Sequence, residues 1–207
     1  MKSEDNTLNP KPDIATLVSA AMPRRFADDR LLDSLSKLFL ILVGSALIGL
    51  SAQIEVPWYP VPVTGQTLMI LLIGMAYGPV LGAVTVVAYL LEGALGLPVF
   101  SGGKAGWPVL VGFTGGYLFG FVVAAFTVGM LAVRGMGRTI TGTVIAMVLG
   151  NLVIYACGVA WLQSLIGLEK AIAGGVLPFL YGDMLKILIA AFAMPAAWRV
   201  VQKFTGK

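Results

Sequence analysis

Residues 93–120 read GALGLPVFSGGKAGWPVLVGFTGGYLFG. Glycine and proline interrupt the run throughout, a single lysine, Lys104, sits near its middle, and the segments on either side are apolar enough to cross a membrane. Lipid satisfies no backbone N–H or C=O, so irregular backbone at membrane depth survives only where protein buries it or where it lines a watery cavity. The stretch therefore predicts an all-α integral membrane protein in which this break between helices closes over something.

Composition carries the same reading through the whole chain. Of its 207 residues, 58% are hydrophobic and 12% charged, about half the ~25% charge of a soluble domain. Several apolar runs exceed the ~18 residues that mark a spanning helix. The net charge of +4 is concentrated at the termini and in one internal loop, which is a topology signal and excludes nucleic acid as the partner. The one cysteine, Cys157, excludes a disulfide within the chain, and the absence of histidine excludes imidazole acid–base work and Ser-His-Asp arrangements. There is no phosphate-binding G-x-x-x-x-G-K-[ST] loop, no metal-ligand cluster and no nucleophile paired with a base, so the chain is expected not to be an enzyme and to need no cofactor.

Hydrophobic patterning predicts six spans, at 35–54, 67–77, 79–95, 116–133, 140–166 and 176–201, following an N-terminal segment, 1–33, so that residues 34–207 form one membrane domain. In that segment Ile14, Leu17, Val18, Ala21 and Met22 share a helical face just before Arg24 and Arg25, the pattern of a short helix lying on membrane lipid. Basic residues cluster in the N-terminal segment, in the loop after the fourth span (Arg134, Arg138) and in the tail (Arg199, Lys203, Lys207), with only Lys104 and Lys170 on the other side. The positive-inside rule then makes both termini cytoplasmic. Loops 55–66, 96–112 and 167–175 fall outside the cell, and the first two are apolar enough to pack over the outer mouth of the bundle.

Small residues recur at four-residue spacing in Gly112, Gly116 and Gly120, in Gly78 and Gly82, and in Gly142, Ala146 and Gly150. Such spacing lets helix backbones approach closely in lipid. The weaker pair Ser45 and Gly49, on a first span otherwise free of polar groups, suits a partner-facing side.

Charges inside spans are costly and mark function. Asp183 and Lys186 share one face of the last span, either as a self-neutralising pair that seats the helix or as contacts for a polar ligand. Asn151 and Tyr155 share a face of the fifth span, and Gln66 opens the second. By depth, the outer half of the bundle assembles Gln66, Lys104, Asn151, Asp183 and Lys186, with Tyr89, Phe100, Trp107 and Tyr155 as walls. That is a small amphiphilic pocket, cationic enough for a carboxylate. A channel would show repeated polar rings along a pore, and these spans do not.

PVPVTGQTL at 60–68, YLLEGALGLPVFSGGKAGWPVLVGFTGGYLFGF at 89–121, GN at 150–151 and GDMLK at 182–186 together resemble the BioY family, the biotin-specific S components of energy-coupling-factor vitamin transporters. The resemblance spans residues 56–189, and the long central block is its specific part. It implies a six-helix S-component bundle in a bacterial inner membrane, which binds biotin with high affinity near the extracellular face and delivers it inward. The partners it implies are a transmembrane coupling protein and two ABC-type ATPases.

By position, Asp183 and Lys186 match the family's acid–lysine pair. Lys104 stands where other members often carry arginine, keeping the charge without the bidentate fork. Asp183, with Asn151 or Gln66, is expected to serve the ureido ring, while Lys104 and Lys186 neutralise the valerate carboxylate. The end-for-end pose is the alternative. The competing functions are an S component for another small vitamin and, in a different class, a membrane scaffold whose buried charges only hold the bundle together. Span 1 lacks the Ala-x-x-x-Ala spacing with which S components dock to the coupling protein, Ser45 and Gly49 being the nearest match.

Overall fold

Local signals place the helix boundaries in the computed structural model, which describes residues 16–22 and 29–205. Asp29 caps the helix α2, Arg30–Ala52, its carboxylate accepting from Leu31 N at 2.8 Å. Helices α3 (Gln66–Tyr77) and α4 (Pro79–Ala94) are separated by Gly78, whose φ of 87° lies in the region that glycine adopts without strain. The single-turn helix α5 (Trp107–Val111) and the long α6 (Gly115–Val133) follow. Thr139 caps α7 (Ile140–Ile166) by accepting from Gly142 N. Gly167 then breaks the chain before α8 (Leu168–Gly175), and α9 (Phe179–Thr205) completes the bundle. A short helix α1, Leu17–Ala21, precedes them. The only strands among the described residues are β1 (Glu55–Val56) and β2 (Val63–Thr64), a two-rung antiparallel hairpin that pairs Glu55 with Thr64 and Val56 with Val63.

The all-helical expectation is met, with boundaries within a few residues at every span. Among the described residues four helices, α2, α6, α7 and α9, are long and apolar enough to cross a membrane. The 12 residues of α3 and the 16 of α4 rise only about 18 and 24 Å, short of a ~30 Å hydrocarbon core.

Two sequence expectations, at residues 167–175 and at Ser45 and Gly49, need revision. Residues 167–175, read as a loop because glycines bound them, form α8, with Ala171 buried and Gly175 O accepting from Tyr117 Oη at 2.8 Å. The described part of the N-terminal segment packs against α3 and α9, with the Thr16 methyl over Gly78; Ile14, Arg24 and Arg25 lie outside the described residues. Ser45 and Gly49 do not face a partner. Ser45 is 2% exposed and donates to Glu92 Oε1 at 2.8 Å, and Gly49 lies against Val99. The side of α2 left uncovered is instead the apolar one, with Leu35, Phe39, Leu42 and Leu50 more than half exposed.

The other small residues bring backbones together inside the bundle. Gly116 and Gly120 admit the Trp161, Cys157 and Ile154 side of α7. A Cβ on Gly74 would lie 2.6 Å from Ala125 O, one on Gly82 2.9 Å from Gly74 Cα, and one on Gly129 2.4 Å from Pro79 N. These contacts join α3, α4 and α6 about a core containing Leu71, Val86, Ala125, Val128 and Met147.

Candidate ligand-binding site

A cavity of about 270 Å³ opens between α3, α6, α7 and α9, under the 55–64 hairpin and the α4–α6 connection. Its polar part is built from three helices. On α9, Asp183 and Lys186 lie one turn apart, Lys186 Nζ 3.0 Å from Asp183 Oδ1, with the side chains only 12% and 7% exposed for lysine and acid. On α3, Thr67 Oγ1 accepts from the same Nζ at 2.8 Å. On α7, the Tyr155 hydroxyl donates to Asp183 Oδ2. Each carboxylate oxygen thus has one donor and a lone pair to spare, and the ammonium has one proton uncommitted.

Asn151, a turn below Tyr155 on α7, lines the same cavity at 7% exposure, and its amide makes no hydrogen bond among the described residues. A buried amide with nothing to bind costs on the order of 1–3 kcal/mol. This one is open to the cavity, where water or a ligand can meet it.

Gln66 lines the cavity with its amide largely committed. Its Nε2 donates to Tyr89 Oη at 2.7 Å, and its Oε1 accepts from Thr64 Oγ1 at 2.9 Å. Tyr89, fully buried, donates onward to Val99 O at 3.1 Å and meets Phe100 edge-on at 5.6 Å. Phe100 is itself 1% exposed, seated where Gly93 lacks a side chain: a Cβ there would fall 2.1 Å from the ring.

The connection carrying Lys104 is shaped by Gly102, Gly103 and Gly106, at φ of 67°, 67° and 87°. Gln53, just past α2, fastens it, its Nε2 donating to both Gly49 O and Phe100 O and its Oε1 accepting from Gly103 N at 3.0 Å. Glu55 adds a second tie by accepting from Ser101 Oγ. Lys104 is exposed at the mouth, with no ion pair among the described residues. The charged residues lining the cavity are Lys104, Asp183 and Lys186, two positive and one negative, so the site carries one net positive charge.

Of the residues expected at the site, the fold brings Gln66, Phe100, Lys104, Asn151, Tyr155, Asp183 and Lys186 together around one cavity. Tyr89 stands behind Gln66 rather than in the lining. Trp107 is outside it, 65% exposed at the start of α5. Sequence reasoning missed the apolar wall of Tyr117, Phe121 and Phe179, in which Tyr117 stacks on Phe179 at 6.3 Å, and it missed Thr67. The i,i+4 spacing of Tyr117 and Phe121 beside the glycines of α6 was the available signal for the wall.

A helical bundle with several helices able to cross a membrane, enclosing a ligand-sized cavity with a polar floor, defines a multi-pass membrane protein with an internal binding site. The BioY family model matches residues 22–203, and the chain belongs to the BioY family. It is 41% identical over 150 residues to the biotin transporter BioY of Thermotoga maritima, covering 72% of this chain and 88% of that one. It is 35% identical over 166 residues to the biotin transporter BioY of Rhizobium etli, covering 76% and 87%. A crystal structure of the S component for biotin from an ECF-type ABC transporter superposes with a TM-score of 0.69 over 84% of this chain and 93% of that one; at 24% identity the likeness is one of fold.

Proposed function

We propose that this chain is the biotin-binding membrane subunit of a vitamin uptake system. It takes biotin from outside the cell and passes it inward together with an energy-coupling module of a transmembrane protein and two ABC-type ATPases. The observation that carries the reading is the Asp183–Lys186–Tyr155–Thr67 cluster beside the uncommitted amide of Asn151, in a chain whose relatives are named biotin transporters. Six crossings of a bacterial inner membrane with both termini cytoplasmic complete the proposal, and the charge bias of the loops supports it. The short α3 and α4 cross with the help of the connections at their mouth-side ends.

Biotin's ureido ring offers two N–H donors and one carbonyl acceptor, and its valerate tail ends in a carboxylate. The free lone pairs of Asp183 suit the ureido N–H groups, and the third Lys186 proton or the Asn151 NH₂ suits the ureido oxygen. Because Asp183 already neutralises Lys186, the net positive charge rests on Lys104, which makes it the partner of the valerate. Tyr155, Tyr117, Phe121 and Phe179 pack the bicyclic ring and chain. None of these groups performs bond chemistry: they bind, orient and exclude water.

Titrating the purified chain with biotin by calorimetry tests the proposal. Saturable one-to-one binding at micromolar biotin or below is expected. Heats no larger than those of dilution across that range would sink it.

A further inference from the structure

The connections over the mouth carry few charges. Across residues 53–65 and 95–114 the only charged side chains are Glu55 and Lys104; the first accepts from Ser101 Oγ and the second lines the cavity. Apart from Gln53, Lys104 and glycines, what these segments expose is apolar or aromatic: Ile54 is 73% exposed, Trp58 52%, Tyr59 77%, Leu95 85%, Trp107 65% and Val111 58%. Single exposed apolar residues are ordinary on a protein surface. A rim made of them, adjoining the uncovered apolar sides of α2 and α4 at Leu50 and Leu91, is not.

Helix register gives the depth of this rim. At the end away from the mouth, Tyr77 Oη donates to Leu40 O and Gly129 lies against Pro79, so the ends of α3 and α6 and residue 40 of α2 lie at one level. The exposed Lys37–Asp33 ion pair, at 2.6 Å, stands one to two turns beyond, flanked by the exposed Leu35 and Leu38. At the mouth end Gly65 abuts Ser51 O and Gln66 bonds Tyr89. The 12 residues of α3 between these levels rise about 18 Å, leaving at most about 12 Å of a ~30 Å hydrocarbon layer above Gln66. The hairpin and the α4–α6 connection fill that remainder.

Non-helical backbone at such depth needs partners for its polar groups, and several of them are found within the protein. The three hydrogen bonds of the Gln53 amide, the Glu55–Ser101 bond, Gly106 N donating to Gly93 O at 2.7 Å and Phe100 N donating to Lys104 O at 3.1 Å hold the connection internally. Apart from the Asn151 amide, which opens to the cavity, no buried side-chain polar atom among the described residues lacks a partner.

We infer that the rim of the cavity is embedded in the lipid of the mouth-side leaflet, with Trp58, Tyr59, Leu95 and Trp107 as its lipid-facing anchors. The partner surface is the acyl-chain and headgroup boundary, where tryptophan and tyrosine are favoured. The site then opens at headgroup depth, and Lys104 reaches from an otherwise apolar loop toward water in the mouth. The inference needs the chain to sit in a membrane and does not depend on which ligand the cavity holds.

Nitroxide labels test it in the full chain carrying Cys157→Ala, reconstituted in phosphatidylcholine vesicles. Leu95→Cys and Trp107→Cys are labelled in turn, with Leu42→Cys on α2 as the lipid reference and Lys203→Cys as the water reference. Collisions with oxygen should exceed those with a water-soluble nickel chelate at both rim positions, as at Leu42. The chelate prevailing at either position, as at Lys203, overturns the inference. A second measurement uses the native tryptophans. Lipids brominated close to the headgroup should quench the chain's fluorescence less once Trp107→Phe is introduced, and an unchanged quenched fraction counts against the inference.

Discussion

The Tyr155 hydroxyl points at Asp183 Oδ2, the carboxylate oxygen that Lys186, bound to Oδ1, leaves free. Helices α7 and α9 are thereby joined through one acid whose two oxygens take one neutral and one charged donor. Removing a single partner of a buried ion pair strands the other charge, at a cost of about 3–5 kcal/mol, whereas replacing both with apolar groups is often neutral. Lys186→Met and Asp183→Leu are each expected to lower the thermal midpoint in detergent, and the double variant to recover most of the loss while binding no biotin. Recovery of stability together with binding would return the pair to a purely structural role.

Lys104 carries the unbalanced charge of the cavity. Lys104→Ala should weaken biotin binding by about 1–2 kcal/mol, the scale of one charged hydrogen bond, and leave the affinity for biotin amide nearly unchanged. Lys104→Arg should retain most of the affinity. Calorimetry with the two ligands separates this role from a general disturbance of the loop, which would weaken both alike.

Tyr89 reaches the cavity only through Gln66 and Phe100. Tyr89→Phe removes the acceptor of Gln66 Nε2 and the donor to Val99 O, and should cost about 1–3 kcal/mol of stability from buried groups left unpaired. Its effect on biotin binding should be smaller than that of Asn151→Ala, whose amide has no partner to lose among the described residues. Paired melting and titration measurements on the two variants check the contrast, and the reverse order would place Tyr89 in contact with ligand.

Gly93 gives Phe100 its seat. A methyl there would overlap the ring, so Gly93→Ala should destabilise by about 1–3 kcal/mol through overpacking and displace the lid that Phe100 supports. Gly103→Ala meets open space but needs a left-handed backbone, and should cost about 1 kcal/mol. Chemical unfolding of both variants tests the ranking.

The helices were legible because long apolar runs fold against lipid or core alike, whatever they later touch. The break at 93–120 was legible for the same reason. Which face of a span looks inward was not. Ser45 and Gly49 resemble docking residues until Glu92 and Val99 are known to cover them, and Trp107 resembles Phe100 until the turn at Gly106 sends it outward. The wall of Tyr117, Phe121 and Phe179 left only the weak signal of the Tyr117–Phe121 spacing, because an apolar ring facing a cavity has the same sequence signature as one facing the core. Asp183, Lys186, Asn151 and Gln66 stood out because lipid makes an unexplained polar group expensive. Helix α8 escaped notice because eight residues between glycines read equally well as a turn.

The glycine contacts of α3, α4 and α6 have a mechanical consequence. Where backbone meets backbone at Gly74, Gly82 and Gly129, no side chains intervene that could change rotamer and let one helix slide past another. Those three helices make a stiff plate, and displacement imposed on one is transmitted to the others undiminished. Gly167, at φ 84° with open space around it, makes no such contact, and α8 beyond it is held instead through Ala171 and the Tyr117–Gly175 hydrogen bond.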